Sequence, residues 1–331
     1  MKNVSTFGIF GRESWFFILL WGMLFLFPIL FPKSYLLSVL IFAGIWAIML
    51  IGFDVLVGYC GQISLGHNAF FAIGAYTTGI LTAKYGVTFS LIPLITGVLF
   101  TLIVAWVIGL PSLRLKGYYL AIATLGFGLI INNFLVGFNE LTGGASGLHN
   151  IPPFAIASLF SFDSDFKFYY LVWGTALFVF KISSNFTGSS HGRALRAILE
   201  DEIFASTMRI PVTRYKIQAF LYSAACASLA GGLYAHYSGT ITPAGFGFMV
   251  SIHMVVMLFL GGRGTIWGGV VGALFLKMLS EGLTSFAVGE YELPISGIIF
   301  ILVLLFLPQG ILGGLRDLIF KWQSKVLTGR S

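Results

Sequence analysis

Long apolar runs separated by short polar punctuation dominate the chain. A helix crosses the hydrocarbon core with about 20 apolar residues, in a range of roughly 17–25. Six runs reach that length: 15–31, 36–58, 89–110, 118–138, 217–236 and 294–312. Four shorter ones, 68–83, 168–182, 248–261 and 265–281, are rich in Gly, Ala and Ser. That composition suits helices packed among other helices or crossing only part of the bilayer. The pattern predicts an all-α, polytopic membrane protein with about eight to ten transmembrane helices, some short or broken. Its parts are a tail over 1–14, one transmembrane domain over 15–312 and a second tail over 313–331.

Composition agrees. Hydrophobic residues make up 57% of the 331-residue chain, charged residues only 9%, and Phe alone occurs 34 times. Soluble domains carry about 25% charged residues, so this chain has too few to cover a water-exposed surface. The run at 15–31 is followed by "PKSY" rather than by a small-residue cleavage site, so it reads as a retained span and not a secretory leader. Cys60 and Cys226 lie far apart in apolar segments, with neither disulfide-framework nor metal-site spacing.

Charge sets the orientation. With ten crossings and a cytoplasmic N-terminus, 15 of the 19 Lys and Arg residues fall on the cytoplasmic side. Only Lys33, Lys84, Lys167 and Lys277 fall outside. Basic residues in short loops favour the cytoplasm, so both termini are expected inside. The net charge of +7 is thus a mark of topology. Its basic residues are scattered over separate loops, without the clustered patch that nucleic-acid binding needs.

Two connections exceed the short loops around them, and long ordered connections usually have a function. One is the external segment 139–167. Its "LTGGASGL" (141–148) reads, on residues alone, as a flexible loop. The other is the cytoplasmic segment 183–216, which contains "GRALRAILEDEIFASTMRIPVTRYK". Eight of the 31 charged side chains (19 basic, 12 acidic) fall in that stretch. Leu195, Ile198, Leu199, Phe204, Met208 and Ile210 recur at helical spacing, which predicts an amphipathic helix over 193–210 ended by Pro211. It either lies on the inner leaflet or docks onto a protein. The triple acid "EDE" at a negatively charged lipid surface favours docking.

Within the membrane, "GYCGQISLGHNAFF" (58–71) interrupts an otherwise continuous span. Non-helical backbone at that depth occurs only inside protein or along a watery cavity, and transporters build sites from such breaks. Gln62, Ser64, His67 and Asn68 therefore either flank a translocation route, glue helices together, or belong to a cytoplasmic turn before a short span. Asn132 and Asn133, in "LIINNFLVG", are either glue or pathway. Asp54 is the one carboxylate well inside a span. It suits a structural role with Arg114 or Lys116 better than a proton relay. Gly264, Gly268 and Gly272, four apart, form a small-residue face, either for internal packing or for a seam with another subunit.

Four ordered stretches resemble one known family. They are "GYCGQISLGHNAFFAIGAYTTGIL" (58–81), "LRLKGYYLAIATLGFG…LTGGASGL" (113–148), "GRALRAILEDEIFASTMRIPVTRYKIQAFLYSAACASLAGGLYAH" (192–236) and "MVVMLFLGGRGTIWGGVVGALF" (254–275). The chain from about residue 40 is similar to bacterial ABC importer permeases of the branched-chain amino-acid type. It is closer to the M-type (LivM-like) subunit than to its H-type partner, and related permeases move urea and short amides. The resemblance implies a bacterial inner-membrane subunit working with a second homologous permease, two cytoplasmic ABC ATPases and a periplasmic binding protein. Gly192, Arg193, Ala194, Arg196, Glu200 and Asp201 would line the ATPase contact, with small Gly192 and Ala194 permitting close approach. Thr142, Gly143 and Gly144 would meet the binding protein. This chain would bind no cofactor and catalyse nothing; the partners would use ATP-Mg. "GK", obligatory in a P-loop, occurs nowhere in the sequence. An ion-coupled secondary transporter is the weaker alternative, because intramembrane carboxylates are so few. An integral membrane enzyme ranks last, for want of any HExxH or GxSxG constellation.

Overall fold

A computed structural model describes residues 14–31, 35–115, 117–156, 160–285, 297 and 310–314. Nine of the ten expected spans correspond to helices there. They are α1 (Ser14–Leu30), α2 (Tyr35–Asp54), α3 (His67–Gly79), α4 (Leu91–Ser112) and α5 (Tyr118–Gly137), then α7 (Asp165–Gly188), α10 (Val212–Ser238), α11 (Phe248–Gly261) and α12 (Trp267–Ser285). Three shorter helices complete the described set: α6 (Asn139–Thr142), α8 (Ser190–Glu200) and α9 (Glu202–Thr207). The tenth expected span, 294–312, and the two tails fall almost wholly outside the described residues.

Among the described residues, five helical stretches are long and apolar enough to cross a membrane: Tyr35–Tyr59, Leu91–Ser112, Tyr118–Gly137, Val212–Ser238 and Pro243–Gly261. The first is α2 continued by a π-helical turn over Val55–Tyr59. Its most apolar window is 78% buried, against 28% in α4 and in α5, so α2 is the interior helix and the other two are peripheral. A helix that is apolar all round belongs in the middle of a bundle. Here α2 packs against α7, α10 and α12, and α10 also packs against α3 and α4.

One of the short apolar runs, that of α3, faces protein on almost every side. All but Thr77 of the thirteen residues of α3 are buried. The α3–α10 crossing is close enough to exclude side chains at two positions. A Cβ on Gly74 would lie 2.2 Å from the Ser228 carbonyl oxygen, and one on Gly231 would lie 2.0 Å from that of Phe71. Nearby, the Thr101 hydroxyl donates to Ser228 Oγ at 2.9 Å, tying α4 to α10. Helices in lipid gain little from hydrophobic segregation, so close van der Waals approach and such polar links hold them together.

Of the two uses open to the glycine face, Gly268 and Gly272 serve internal packing. Gly264 is not helical; it sits in the α11–α12 turn with φ +77°. Gly268 and Gly272 let α12 pack against α11, where added Cβ atoms would fall 2.0 Å from Gly262 O and 1.9 Å from Met257 O. Those two glycines close a helical hairpin inside this chain.

Segment 139–156 is ordered, which corrects the flexible loop expected for 141–148. After α6 comes a 3-10 turn, Gly144–Ser146. Leu148 and Ile241 then exchange amide hydrogen bonds of 2.8 and 2.9 Å, and Ile151 N donates to Gly239 O at 3.0 Å. A two-residue antiparallel pair, β1 (Ala155–Ile156) with β2 (Phe160–Ser161), follows. This region meets the last residues of α10, whereas the charged segment meets its first turn. The helix is 27 residues long, roughly 40 Å at 1.5 Å per residue. The two long connections therefore lie at opposite ends of the bundle.

Candidate functional site

The charged segment is two helices rather than the single one expected over 193–210. The first, α8, starts at Ser190, where Ser189 Oγ accepts from the His191 amide at 3.2 Å. It stops at Glu200 because Asp201 turns extended (φ −158°, ψ 114°) and caps α9. The Asp201 carboxylate accepts from the amides of Ile203 at 2.7 Å and Phe204 at 3.1 Å. Aspartate at an N-cap satisfies donors that the helix itself leaves free. Pro211 stops neither helix: α9 has ended by Thr207, Arg209 takes φ +59°, and Pro211 precedes α10.

Burial divides the expected contact residues. Gly192, Leu195, Ile198 and Ala205 are buried against this chain's own bundle. A Cβ on Gly192 would lie 2.0 Å from the Thr187 carbonyl oxygen, so its small size serves an internal contact rather than a partner. Arg196 also turns inward. Its guanidinium donates to Thr187 O at 3.3 Å and lies 5.1 Å from the centre of the Tyr59 ring. Arg193, Glu200 and Asp201 are exposed, and Ala194 is half-buried. The sequence reading missed the most open apolar side chains there, Ile203 (70% exposed), Phe204 (62%) and Met208 (65%). At 3.6 residues per turn, Phe204 and Met208 stand roughly 180° and 140° around from Leu195. They therefore face away from the buried Leu195 and Ile198.

Two contacts join α8 and α9 to the loop Cys60–Gly66. Leu199 lies over Gly61, whose added Cβ would be 2.7 Å from Leu199 Cδ1 and whose φ is +73°. Gln62 Nε2 donates to Cys60 O at 3.2 Å and to Glu202 Oε1 at 3.4 Å. The same Glu202 oxygen accepts from Lys216 Nζ at 2.5 Å, an ion pair in which the Lys216 side chain is only 4% exposed.

The loop enters the bundle from that end. The Leu65 amide donates to Thr124 Oγ1 of α5 at 3.0 Å. Gly66 packs so tightly on the Thr124 carbonyl that a Cβ would stand 2.0 Å from it. His67, which opens α3, has Nδ1 2.9 Å from Ser64 Oγ and Nε2 2.8 Å from Ser223 Oγ of α10. Asn68 donates to Phe246 O at 2.9 Å, and its Oδ1 accepts from Ser251 Oγ of α11 at 2.9 Å. Ser64, His67 and Asn68 thus form one buried group in which every polar side chain has a partner. Gln62 sits apart from it, towards the charged segment. A satisfied polar network in a low-dielectric interior fixes one arrangement of the helices around it.

The two asparagines of α5 part company. Asn132 donates to Pro243 O at 2.8 Å, whereas Asn133 stands on the exposed face beside Ile130 (67% exposed). Asp54 is fully buried and holds the α11–α12 turn, accepting from the amides of Gly264 at 2.6 Å and Ile266 at 2.8 Å. Those amides occupy its two oxygens in place of the basic partner, Arg114 or Lys116, expected from the sequence; Lys116 lies outside the described residues.

At the far end, Thr142 is buried, its hydroxyl 2.6 Å from Leu135 O and 2.7 Å from Phe138 O while accepting from the Gly144 amide at 3.2 Å. Gly143 and Gly144 adopt positive φ, +75° and +59°, and Cβ atoms there would collide with Gly147 O and Asn139 Oδ1. Thr142 and Gly144 shape this turn from within, and Asn139, Glu140, Ala145 and Ser146 form its exposed surface.

Comparison with known proteins adds a second line of argument. Residues 35–304 match the family model described as "Branched-chain amino acid transport system / permease component". The chain is 33% identical over 290 residues to the high-affinity branched-chain amino acid transport system permease protein LivM of Salmonella typhimurium (strain LT2), covering 81% of this chain and 68% of that one. The LivM protein of Escherichia coli (strain K12) shows the same identity and coverage. LivH of Salmonella typhimurium is 28% identical over 291 residues, which is 81% of this chain and 91% of LivH. No solved structure matches the chain significantly.

Proposed function

The chain belongs to the family of branched-chain amino acid transport system permease components, and from that premise we propose how it is assembled and driven. It is an all-α, multi-pass membrane permease subunit for branched-chain amino acid import, working with other subunits of an ABC system. In our reading it sits in the bacterial inner membrane with both termini cytoplasmic, which the distribution of Lys and Arg supports. It pairs with a second, homologous permease. Two cytoplasmic ATPases bind and hydrolyse ATP-Mg, and a periplasmic binding protein delivers the amino acid. Urea or short amides are less favoured as cargo.

One observation carries the coupling assignment. The α8–α9 pair is anchored to the bundle by its inner face and presents an outer face of Ile203, Phe204 and Met208 rimmed by Arg193, Glu200 and Asp201. Exposed apolar side chains with a charged rim are the anatomy of a protein contact. ATP-driven closure of the ATPases would act on this face. Gly192 and Arg196 support it from behind.

For the route, Gln62, Ser64, His67, Asn68, Asn132 and Asn133 divide by exposure. The buried ones hold the backbone that shapes the route, and Asn133, exposed on α5, is the one able to meet solute or the second permease. At the opposite end, Thr142, Gly143 and Gly144 set the turn on which the exposed residues 139, 140, 145 and 146 meet the binding protein.

The test is purification of the tagged chain in mild detergent with mass spectrometry of what accompanies it, beside an Ile203→Glu/Phe204→Glu variant. ATPases and a second permease should accompany the parent, and the ATPases should be lost from a variant that still elutes as a folded species. Equal ATPase recovery in both preparations refutes the docking assignment.

A further inference from the structure

One carboxylate links α9 to both α10 and the 60–66 loop. Glu202 Oε1 meets Lys216 Nζ of α10 at 2.5 Å and Gln62 Nε2 of the loop at 3.4 Å. The helix carrying Glu202 is only six residues long, too short to be stable on its own. Its place is set by the Asp201 cap, by buried Ala205 and by this carboxylate. Because the Lys216 ammonium is almost fully buried, drawing Glu202 away would leave a charge in the interior without its counter-ion, which is strongly unfavourable. Small displacements of α9 therefore carry the first turn of α10 and the loop along with them.

What the loop touches gives this attachment a consequence. From Gln62 it is two residues to Ser64, which bonds to His67, which bonds to Ser223, while Leu65 bonds to Thr124 of α5. Leu65, Gly66, His67 and Asn68 thus contact α5, α10 and α11 within four consecutive residues. Both the loop Cys60–Gly66 and α10 touch the outward-facing α8–α9 pair and this buried polar group. Through the loop, a push on α9 reaches α5, α10 and α11 without passing along the length of any helix.

We propose that Glu202 is a positioning residue for transport, the joint through which α9 moves Gln62 and the 60–66 loop and so changes how α3, α5, α10 and α11 meet around residues 65–68. The proposal rests on the reading of α8–α9 as the ATPase-docking face. Arg196 over Tyr59 and Leu199 over Gly61 brace the same loop from α8, so the joint is a lever with a second support.

The experiment uses the whole transporter co-purified with the tagged chain, reconstituted in vesicles with its binding protein and radiolabelled leucine. ATP hydrolysis and leucine uptake are measured together. Gln62→Ala leaves the Glu202–Lys216 pair in place, so the helices stay anchored and only the link to the loop is cut. We expect ATPase recovery and hydrolysis to persist while leucine moved per ATP falls about fivefold or more, the lower end of usual site-to-site coupling. Glu202→Gln should act in the same direction. A Glu202→Lys/Lys216→Glu exchange restores the ion pair but presents an ammonium to Gln62, whose side-chain oxygen can accept from it; uptake per ATP should return to within about twofold of the parent. A residue that merely stabilised the fold would lower the yield of complex and leave uptake per ATP unchanged. Unchanged uptake per ATP in Gln62→Ala and Glu202→Gln, with the ATPases still bound, overturns the joint and leaves the docking assignment standing. Absence of ATPases from the parent preparation overturns both.

Discussion

Asp54 offers the sharpest quantitative test of the structural reading. Replacing it with alanine removes the acceptor for two amides of the α11–α12 turn, Gly264 at 2.6 Å and Ile266 at 2.8 Å. An orphaned buried donor costs about 1–3 kcal/mol, so two cost roughly 2–6 kcal/mol together. Asparagine keeps one carbonyl oxygen but turns an NH2 towards the second amide, so Asp54→Asn should lose about half as much, roughly 1–3 kcal/mol. Gly58 supplies an independent check, since a Cβ there would lie 2.1 Å from Asp54 Oδ1 and 2.4 Å from the Gly264 nitrogen. Gly58→Ala should thus disturb the same turn by crowding the carboxylate and the Gly264 amide while leaving Asp54 itself in place. Thermal unfolding in a single detergent, followed by tryptophan fluorescence and by loss of the monodisperse peak, should rank the proteins parent, Asp54→Asn, Asp54→Ala. An Asp54→Ala protein that melts with the parent refutes the role of Asp54 as anchor of the α11–α12 turn. If Asp54→Asn abolished uptake at unchanged stability, the carboxylate would be acting on an ion or proton instead.

Two further substitutions separate internal from external roles. Gly192→Val should lower the unfolding midpoint, by about 1–3 kcal/mol as overpacking usually does, because its Cβ would stand 2.0 Å from Thr187 O; Arg193→Ala, on an exposed site, should leave it unchanged in the same melt. Gly144→Ala combines positive φ with a collision against Asn139. It should cost about 1–2 kcal/mol from the left-handed backbone alone and make the 139–148 turn more open to limited proteolysis; an unaltered digestion pattern would contradict the ordered turn.

The membrane architecture was largely legible in the chain because it follows from one length. Hydrocarbon thickness divided by helical rise fixes how many apolar residues a span needs, and polar punctuation marks where spans end. Runs 36–58 and 217–236 accordingly became the central helices α2 and α10, with shifted ends. The unusual residues of 58–71 were legible too, since glycine and polar groups in an apolar run have few physical uses.

Which way those residues face was not legible. Helical periodicity grouped Leu195, Ile198, Leu199, Phe204, Met208 and Ile210 in one helix over 193–210, but the Asp201 cap divides it in two. Phe204 and Met208 face outward while Leu195 and Ile198 are buried. Gly192 and the Gly268–Gly272 face were identifiable as close-approach positions, yet spacing alone does not say whether the approaching backbone is foreign or the chain's own. Partners distant in sequence decided the remaining assignments: Asp54 with Gly264 and Ile266, His67 with Ser223, and Gln62 with Glu202. Local sequence sets the number, type and approximate ends of the helices, because hydropathy and backbone hydrogen bonding act over a few residues. Only the tertiary structure brings together groups more than a hundred residues apart, and there burial and hydrogen-bond satisfaction determine which polar side chains lock the bundle and which remain free to meet something else.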